Sequence, residues 1–188
     1  MVHTFDRSLT LEEFLAQPET KPACEYINGR VVQKPMPQGE HSALQGDLTA
    51  AINVLRTQKI ARAFPELRYT FDDRSVIPDI SVFVADRIPH DETGRLARHF
   101  TIAPDWSIEI LSPQQAQSKV IQNILHCLEH GTQIGWLIDP YELLVFVYFL
   151  DRSTQVFDDL DTPLPVPEFA SQLTVTLRDI RSSFESFI

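Results

Sequence analysis

The stretch from Trp106 to Ile138 leaves this chain few ways to fold. Asp105 to Leu111 is apolar, alternating and strand-sized; Val120, Ile121, Ile124, Leu125 and Leu128 then recur at helical spacing; Gly135 to Ile138 is apolar again. The helix implied between them spans about Gln115 to His130, with Gly131 where a C-terminal cap belongs. A strand, a helix and a strand in this order form a crossover long enough to join parallel neighbours. The chain is therefore expected to be α/β (α+β), with a central mixed sheet flanked by helices.

The rest of the sequence is consistent with that class. Thr10 with Glu13 is a capping-box signature that starts a short helix, Leu11 to Gln17. Glu25-Tyr26-Ile27-Asn28-Gly29-Arg30-Val31-Val32 reads as two strands joined by the Asn-Gly turn of a hairpin. From Glu40 to about Ala63, Leu44, Leu48, Ala51, Ile52 and Leu55 mark a long helix. Period-two alternation follows: a strand at Leu67 to Phe71, a turn at Asp72 to Ser75, and a strand marked by Ile80, Val82 and Val84. Asp86 to Arg98 reads as a long surface loop. Leu143 to Phe149 and a segment near Leu173 to Leu177 read as further strands, and Arg178 to Phe187 as a closing helix. No internal repeat or linker interrupts the pattern, so residues 1–188 are expected to form one domain.

Two acids stand in the wrong company. Alternation in Trp106-Ser107-Ile108-Glu109-Ile110-Leu111 places Glu109 mid-strand among apolar neighbours. A buried carboxylate costs several kcal/mol unless it is paired, protonated or bound to a metal. The bland reading, a solvated face or an arginine partner, stays open. Asp79, after Pro78, stands where a loop becomes the Ile80 to Val84 strand, and a turn aspartate is the simple alternative. Together the two are more telling, because adjacent strands place such residues close enough to share a divalent cation. Glu25, ahead of the Asn-Gly turn, is a candidate third acid.

Lys119 is the sole Lys or Arg between His99 and Asp151 and lies in the first turn of the helix after the Glu109 strand. A cation there opposes the helix dipole, so either it is a solubilising residue or it reaches back over the strand end to orient a water or a phosphate. His126 and His130 are spaced i, i+4, but no HExxH accompanies them, and a helix-end role is favoured over zinc. Arg56, Lys59, Arg62, Arg68 and Arg74 form the densest basic stretch.

Composition narrows the function classes. A hydrophobic fraction of 43% with 22% charged residues is ordinary for a globular chain. The net charge of −10 opposes any whole-surface polyanion binder, so a nucleic-acid role would need local cations or bound metal. Cys24 and Cys127 lack metal-ligand spacing and read as small apolar fillers in a reducing compartment. No export signal or membrane-length apolar run is visible, which points to the cytoplasm. With 6 glycines and no phosphate loop or GxSxG elbow, nucleotide-cradling and serine-hydrolase readings fall away. A carboxylate-pair glycosidase needs aromatic platforms, and Trp106 and Trp136 look like core instead.

The order of motifs resembles the Uma-two family of restriction-endonuclease-like proteins, a branch of the PD-(D/E)xK nuclease superfamily. The matching parts are Tyr26-Ile27-Asn28-Gly29-Arg30-Val31-Val32, Pro37-Gln38-Gly39-Glu40-His41, Pro78-Asp79-Ile80-Ser81-Val82-Phe83-Val84, Ile108-Glu109-Ile110-Leu111-Ser112-Pro113, and Gly131 through Gly135-Trp136-Leu137-Ile138-Asp139-Pro140. The resemblance implies a restriction-endonuclease-like core, with Asp79 as the acid of the PD element and Glu109 as that of (D/E)xK. Both would bind Mg²⁺ or Mn²⁺, and Glu25 would complete the site. It further implies DNA as partner and hydrolysis of phosphodiester bonds, and leaves a homodimer open. His41 matches a recurrent histidine of the family. The departure is the lysine: Leu111 stands at the simple ExK position, and the substitute place on the following helix is Asn123. Lys119, one turn earlier on that face, is the expected stand-in. The alternative is a catalytically inactive nuclease fold kept as a binding module, its acids serving as structural ion pairs.

Overall fold

The computed structural model describes residues 9–113 and 115–185; of the N-terminal residues read for an export signal, those up to Ser8 lie outside them. The chain runs α1 (Leu11–Leu15), β1 (Cys24–Ile27), β2 (Arg30–Gln33), α2 (Gly39–Ile52), α3 (Val54–Thr57) and β3 (Ala61–Pro65). It continues through β4 (Tyr69–Phe71), β5 (Arg74–Val76), β6 (Ile80–Val84), β7 (Trp106–Ile110), α4 (Gln117–Glu129), β8 (Ile134–Asp139), β9 (Leu144–Phe149), β10 (Thr154–Phe157) and α5 (Leu177–Ser182).

The strands form two sheets. The larger has six strands in the order β10-β9-β8-β7-β6-β3, and the smaller has four in the order β2-β1-β5-β4. Within the large sheet β7 and β8 are parallel, with Glu109 beside Leu137, and the other pairs are antiparallel. The α4 crossover thus makes a mixed sheet, as the strand-helix-strand pattern requires.

Both faces of the large sheet are covered. On one, Ile80, Val82, Trp106, Ile108, Ile110, Trp136, Ile138, Val145 and Val147 pack against Leu44, Leu48 and Ile52 of α2, Leu55 of α3 and Leu177 and Ile180 of α5. Trp106 and Trp136 meet edge to face at 4.8 Å, fully buried as core residues. On the other, Val120, Ile124 and Leu128 of α4 lie over Leu137 and Tyr148. Each large side chain removed from water in this way contributes roughly 1.5–3 kcal/mol. Among the described residues no helix is long and apolar enough to cross a membrane.

Local signals explain several boundaries. Thr10 and Glu13 close the capping box of α1. Asn28 and Gly29 both take positive φ, 51° and 78°, as the two-residue turn between β1 and β2 demands. Gly131, at φ 100°, ends α4.

Four expectations need correction, the first being the closing helix, which ends at Ser182 with Ser183 as its cap rather than at Phe187. The helix expected to reach Ala63 ends at Ile52, where Asn53 turns its side chain to both the N–H and the C=O of Ala63 at 3.0 and 3.2 Å. After the short α3, Lys59 adopts a left-handed φ of 59° and the chain leaves as β3. Only Asp72 and Asp73 form the turn expected over 72–75, since Arg74 already belongs to β5. The segment near Leu173 to Leu177 is no strand: Thr176 caps α5, which begins at Leu177. Thr154–Phe157, too polar and exposed to show alternation, pairs with β9 as an edge strand.

Candidate active site

Glu25, Asp79 and Glu109 come from three different strands and are brought together. In the β6–β7 pairing Ile80 faces Ile108, so extending the antiparallel register by one residue sets Asp79 opposite Glu109. Glu25, in β1, reaches the same place from the small sheet, because the chain passes from β5 through Ile77 and Pro78 to Asp79. All three are buried, with relative exposures of 5%, 2% and 2%. The solvated-face reading of Glu109 is thereby excluded.

Glu25 and Asp79 are fastened by groups from other elements. Glu25 Oε1 accepts the Ile77 backbone N–H at 2.8 Å, and its Oε2 accepts from Asn123 Nδ2 of α4 at 3.4 Å. Asp79 Oδ2 accepts the Ile110 backbone N–H at 2.7 Å and lies 3.3 Å from His41 Nε2 of α2. The backbone carbonyl of Asp79 accepts from Gln45 Nε2, one turn further along α2, at 2.7 Å.

The cation in this cluster is Lys34, in the segment that leaves β2. Its Nζ donates to Asp79 Oδ1 at 2.8 Å and to the Ile77 carbonyl at 2.6 Å. Nothing local in the sequence marks Lys34, because its partners lie more than forty residues away and are met only after the small sheet docks on β6. Asn123, at the substitute-lysine position, reaches Glu25 with an amide instead. Lys119 stands exposed on the first turn of α4, and among the described residues it makes no ion pair with the three acids. The structure therefore does not bring Lys119 into the cluster; the lysine that pairs with Asp79 there is Lys34.

The electrostatics follow from three acids sharing one lysine. Burial would push Asp79 up, but Lys34 and His41 outweigh it and hold its carboxyl below the ordinary range. Glu25 is pushed up chiefly by burial, against the pull of Lys34. Glu109 is raised well above the ordinary value by burial and by the charges of Asp79 and Glu25, again against Lys34. Burial alone would lower Lys34, yet Asp79, Glu109 and Glu25 together raise it, so it is a fixed cation.

A cavity of about 360 Å³ opens on the Asp79 side of the cluster, lined among others by Lys21, Lys34, His41, Asp79, Ser112 and Gln115. The basic stretch from Arg56 to Arg74 does not gather there. Arg62 lies over Phe64, Arg68 is held by Glu19 and the Cys24 carbonyl, and Arg74 by Asn28 and the Gln122 carbonyl. In the Asp86 to Arg98 loop, Arg87 is paired with Asp105.

Residues 11–178 match the family model of Uma2, described as "Putative restriction endonuclease". The chain belongs to the Uma2 family. Its fold is shared with the crystal structure of a protein described as "a putative nuclease belonging to DUF820" from Anabaena variabilis ATCC 29413. The two are 59% identical, with a TM-score of 0.91 over 93% of this chain and 98% of that one. No curated protein matches. Within the Uma2 fold, the Asp79 and Glu109 strands are thus the β6–β7 pair, and the Glu25 hairpin covers their end.

Proposed function

We propose that this Uma2 protein is an endonuclease that hydrolyses phosphodiester bonds of DNA with Mg²⁺ or Mn²⁺, using Asp79, Glu109 and Glu25 as metal ligands. The observation that carries this reading is the burial of three carboxylates around a single lysine. One lysine cannot balance three ionised acids in so buried a site, so Glu25 and Glu109 are held towards their protonated forms, and a further cation would complete the cluster in place of those protons. The donor set is all oxygen, which suits a hard divalent ion. Asn123 Oδ1 and His41 Nδ1 are also buried beside the cluster without a hydrogen-bond partner.

A bound Mg²⁺ would supply Lewis acidity, lowering the pKa of a coordinated water and offsetting charge on the phosphate. The protein's own groups do the rest. Lys34, tethered at the Ile77 carbonyl and Asp79, keeps Asp79 ionised and presents positive charge to the cavity an anionic strand must enter. His41 and the Ile110 N–H fix the direction of the Asp79 carboxylate. Lys21 adds a second cation to the cavity lining, where Glu66 and Asp79 are the acids.

The second reading, a binding module without catalysis, is favoured by one observation: the Lys34–Asp79 pair already satisfies one acid internally. Incubation of the protein with plasmid and single-stranded DNA, with and without Mg²⁺ or Mn²⁺, separates the two. The nuclease reading expects metal-dependent cleavage that Asp79→Ala and Glu109→Ala each abolish; cleavage indifferent to both changes would sink it.

A further inference from the structure

Away from the acid cluster, Asp72, His126 and His130 each offer one ligand atom, and these atoms lie within 4.8 Å of one another. Asp72 sits at positive φ in the two-residue turn between β4 and β5, while His126 lies on the last turn of α4 and His130 caps its C-terminus. The sequence shows only the i, i+4 histidine pair; the third donor arrives from a turn more than fifty residues earlier. We propose that Asp72, His126 and His130 form a second metal site, for a divalent transition ion of the zinc class, which fastens the β4–β5 turn to the end of α4.

The histidines are arranged as ligands rather than as surface polar groups. His130 Nδ1 lies 2.8 Å from the His126 carbonyl; donating its proton there leaves the Nε2 lone pair free, and Nε2 is 3.9 Å from the Asp72 carboxylate. A ring nitrogen bonded to a backbone carbonyl is the usual outer support of a metal-binding imidazole. His126 is 5% exposed, and its Nε2 is buried with no hydrogen-bond partner, an expensive state for a polar atom. Its ring is fixed by face-to-face stacking on Phe71 at 4.8 Å and 1°, and the two imidazoles stand 4.6 Å apart.

Donor chemistry sets the class of ion. Two imidazoles and one carboxylate suit zinc, nickel or cobalt, whereas Mg²⁺ favours oxygen donors. Donor atoms around a tetrahedral zinc are about 3.3 Å apart, so small side-chain rotations close the present spacing. Burial and the charge of Arg74 oppose a cation at His126, and Asp72 and Glu129 favour one. Three protein ligands leave a coordination position for water.

The test uses the full chain, stripped with chelator, freed of it, and held in excess MgCl₂ to compete with zinc at the acid cluster. Titration with ZnCl₂ should show one equivalent bound and raise Tm by at least about 5 °C at saturating metal. Asp72→Asn and His130→Gln, at exposed positions, should each weaken zinc binding at least about tenfold while the melting curve without zinc stays cooperative. Glu109→Gln should leave zinc binding unchanged. No zinc-dependent heat or Tm shift in the unaltered protein overturns the site, as does binding that survives Asp72→Asn and His130→Gln or is lost with Glu109→Gln. None of these readouts depends on DNA cleavage.

Discussion

The Ile110 backbone N–H donates to Asp79 Oδ2 at 2.7 Å, so the acid that precedes β6 is clamped to β7 directly beside Glu109. Lys34 takes the other oxygen of the same carboxylate. Asp79 is thus a full acceptor, with a donor on each oxygen and His41 close to one of them. Asp79→Asn must turn an amide NH₂ towards either Lys34 or the Ile110 N–H, setting donor against donor. The expected cost is about 1–3 kcal/mol of folding stability, readable by urea unfolding, together with loss of Mg²⁺-dependent cleavage. An unchanged urea midpoint would contradict the clamp.

Lys34 is the counter-charge of the whole cluster. Lys34→Met keeps much of the stem volume and removes the cation, leaving buried carboxylates without a partner at a cost of about 3–5 kcal/mol. Millimolar Mg²⁺ should recover part of that loss, since the ion replaces the missing positive charge, and Tm measured with and without Mg²⁺ reads this directly. Cleavage by Lys34→Met should fall by at least about 100-fold, whereas Lys119→Ala, on the exposed first turn of α4, should change it less than about tenfold.

The difference between those two lysines shows what a sequence conveys and what it does not. Asp79 and Glu109 are legible because each violates a local expectation, an acid at a strand mouth and an acid inside an apolar strand. Gly131, the Asn28-Gly29 turn and the Thr10 cap are legible because backbone conformation imposes a residue type. Lys34 violates nothing locally; its significance depends on the docking of the β1–β2 hairpin against the β5–β6 connection. β3 is hidden for a related reason: Ile60-Ala61-Arg62-Ala63-Phe64 carries on from a helical apolar pattern, and the break is made by Asn53 reaching Ala63 and by the left-handed Lys59. Thr154–Phe157 is an exposed edge strand, so burial leaves no period in its sequence.

The raised carboxyls of Glu25 and Glu109 fix the pH response of the metal-free protein. Above the ordinary carboxylate range the unfolded chain has released these protons while the folded state retains them. The folded state therefore binds more protons, and stability falls as pH rises towards the folded values. Asp79 acts in the opposite sense: held low, it contributes stability above its unfolded pKa that is lost as pH falls through the acid range. Glu109→Gln should accordingly raise Tm at about pH 8 in chelator, with the gain shrinking as pH falls below the ordinary carboxylate range, and should abolish cleavage. A gain that is the same at every pH would show that Glu109 is not the titrating group.

Gly135 decides how closely α4 can approach the sheet that carries Glu109. A Cβ at Gly135 would run into Cγ2 of Ile124, a fully buried side chain. Gly135→Ala should therefore cost about 1–3 kcal/mol by overpacking and push α4 outward. Asn123 is the residue beside Ile124 and donates to Glu25, so that 3.4 Å contact should lengthen and cleavage should drop as well. Ile124→Ala alone should cost about 2–5 kcal/mol through the cavity it leaves. In the double variant the added methyl enters the space vacated, so the combined loss should be smaller than the sum of the two single losses by at least about 0.5 kcal/mol, measured by urea unfolding. Strict additivity would mean that the Gly135 and Ile124 positions do not meet across the β8–α4 interface.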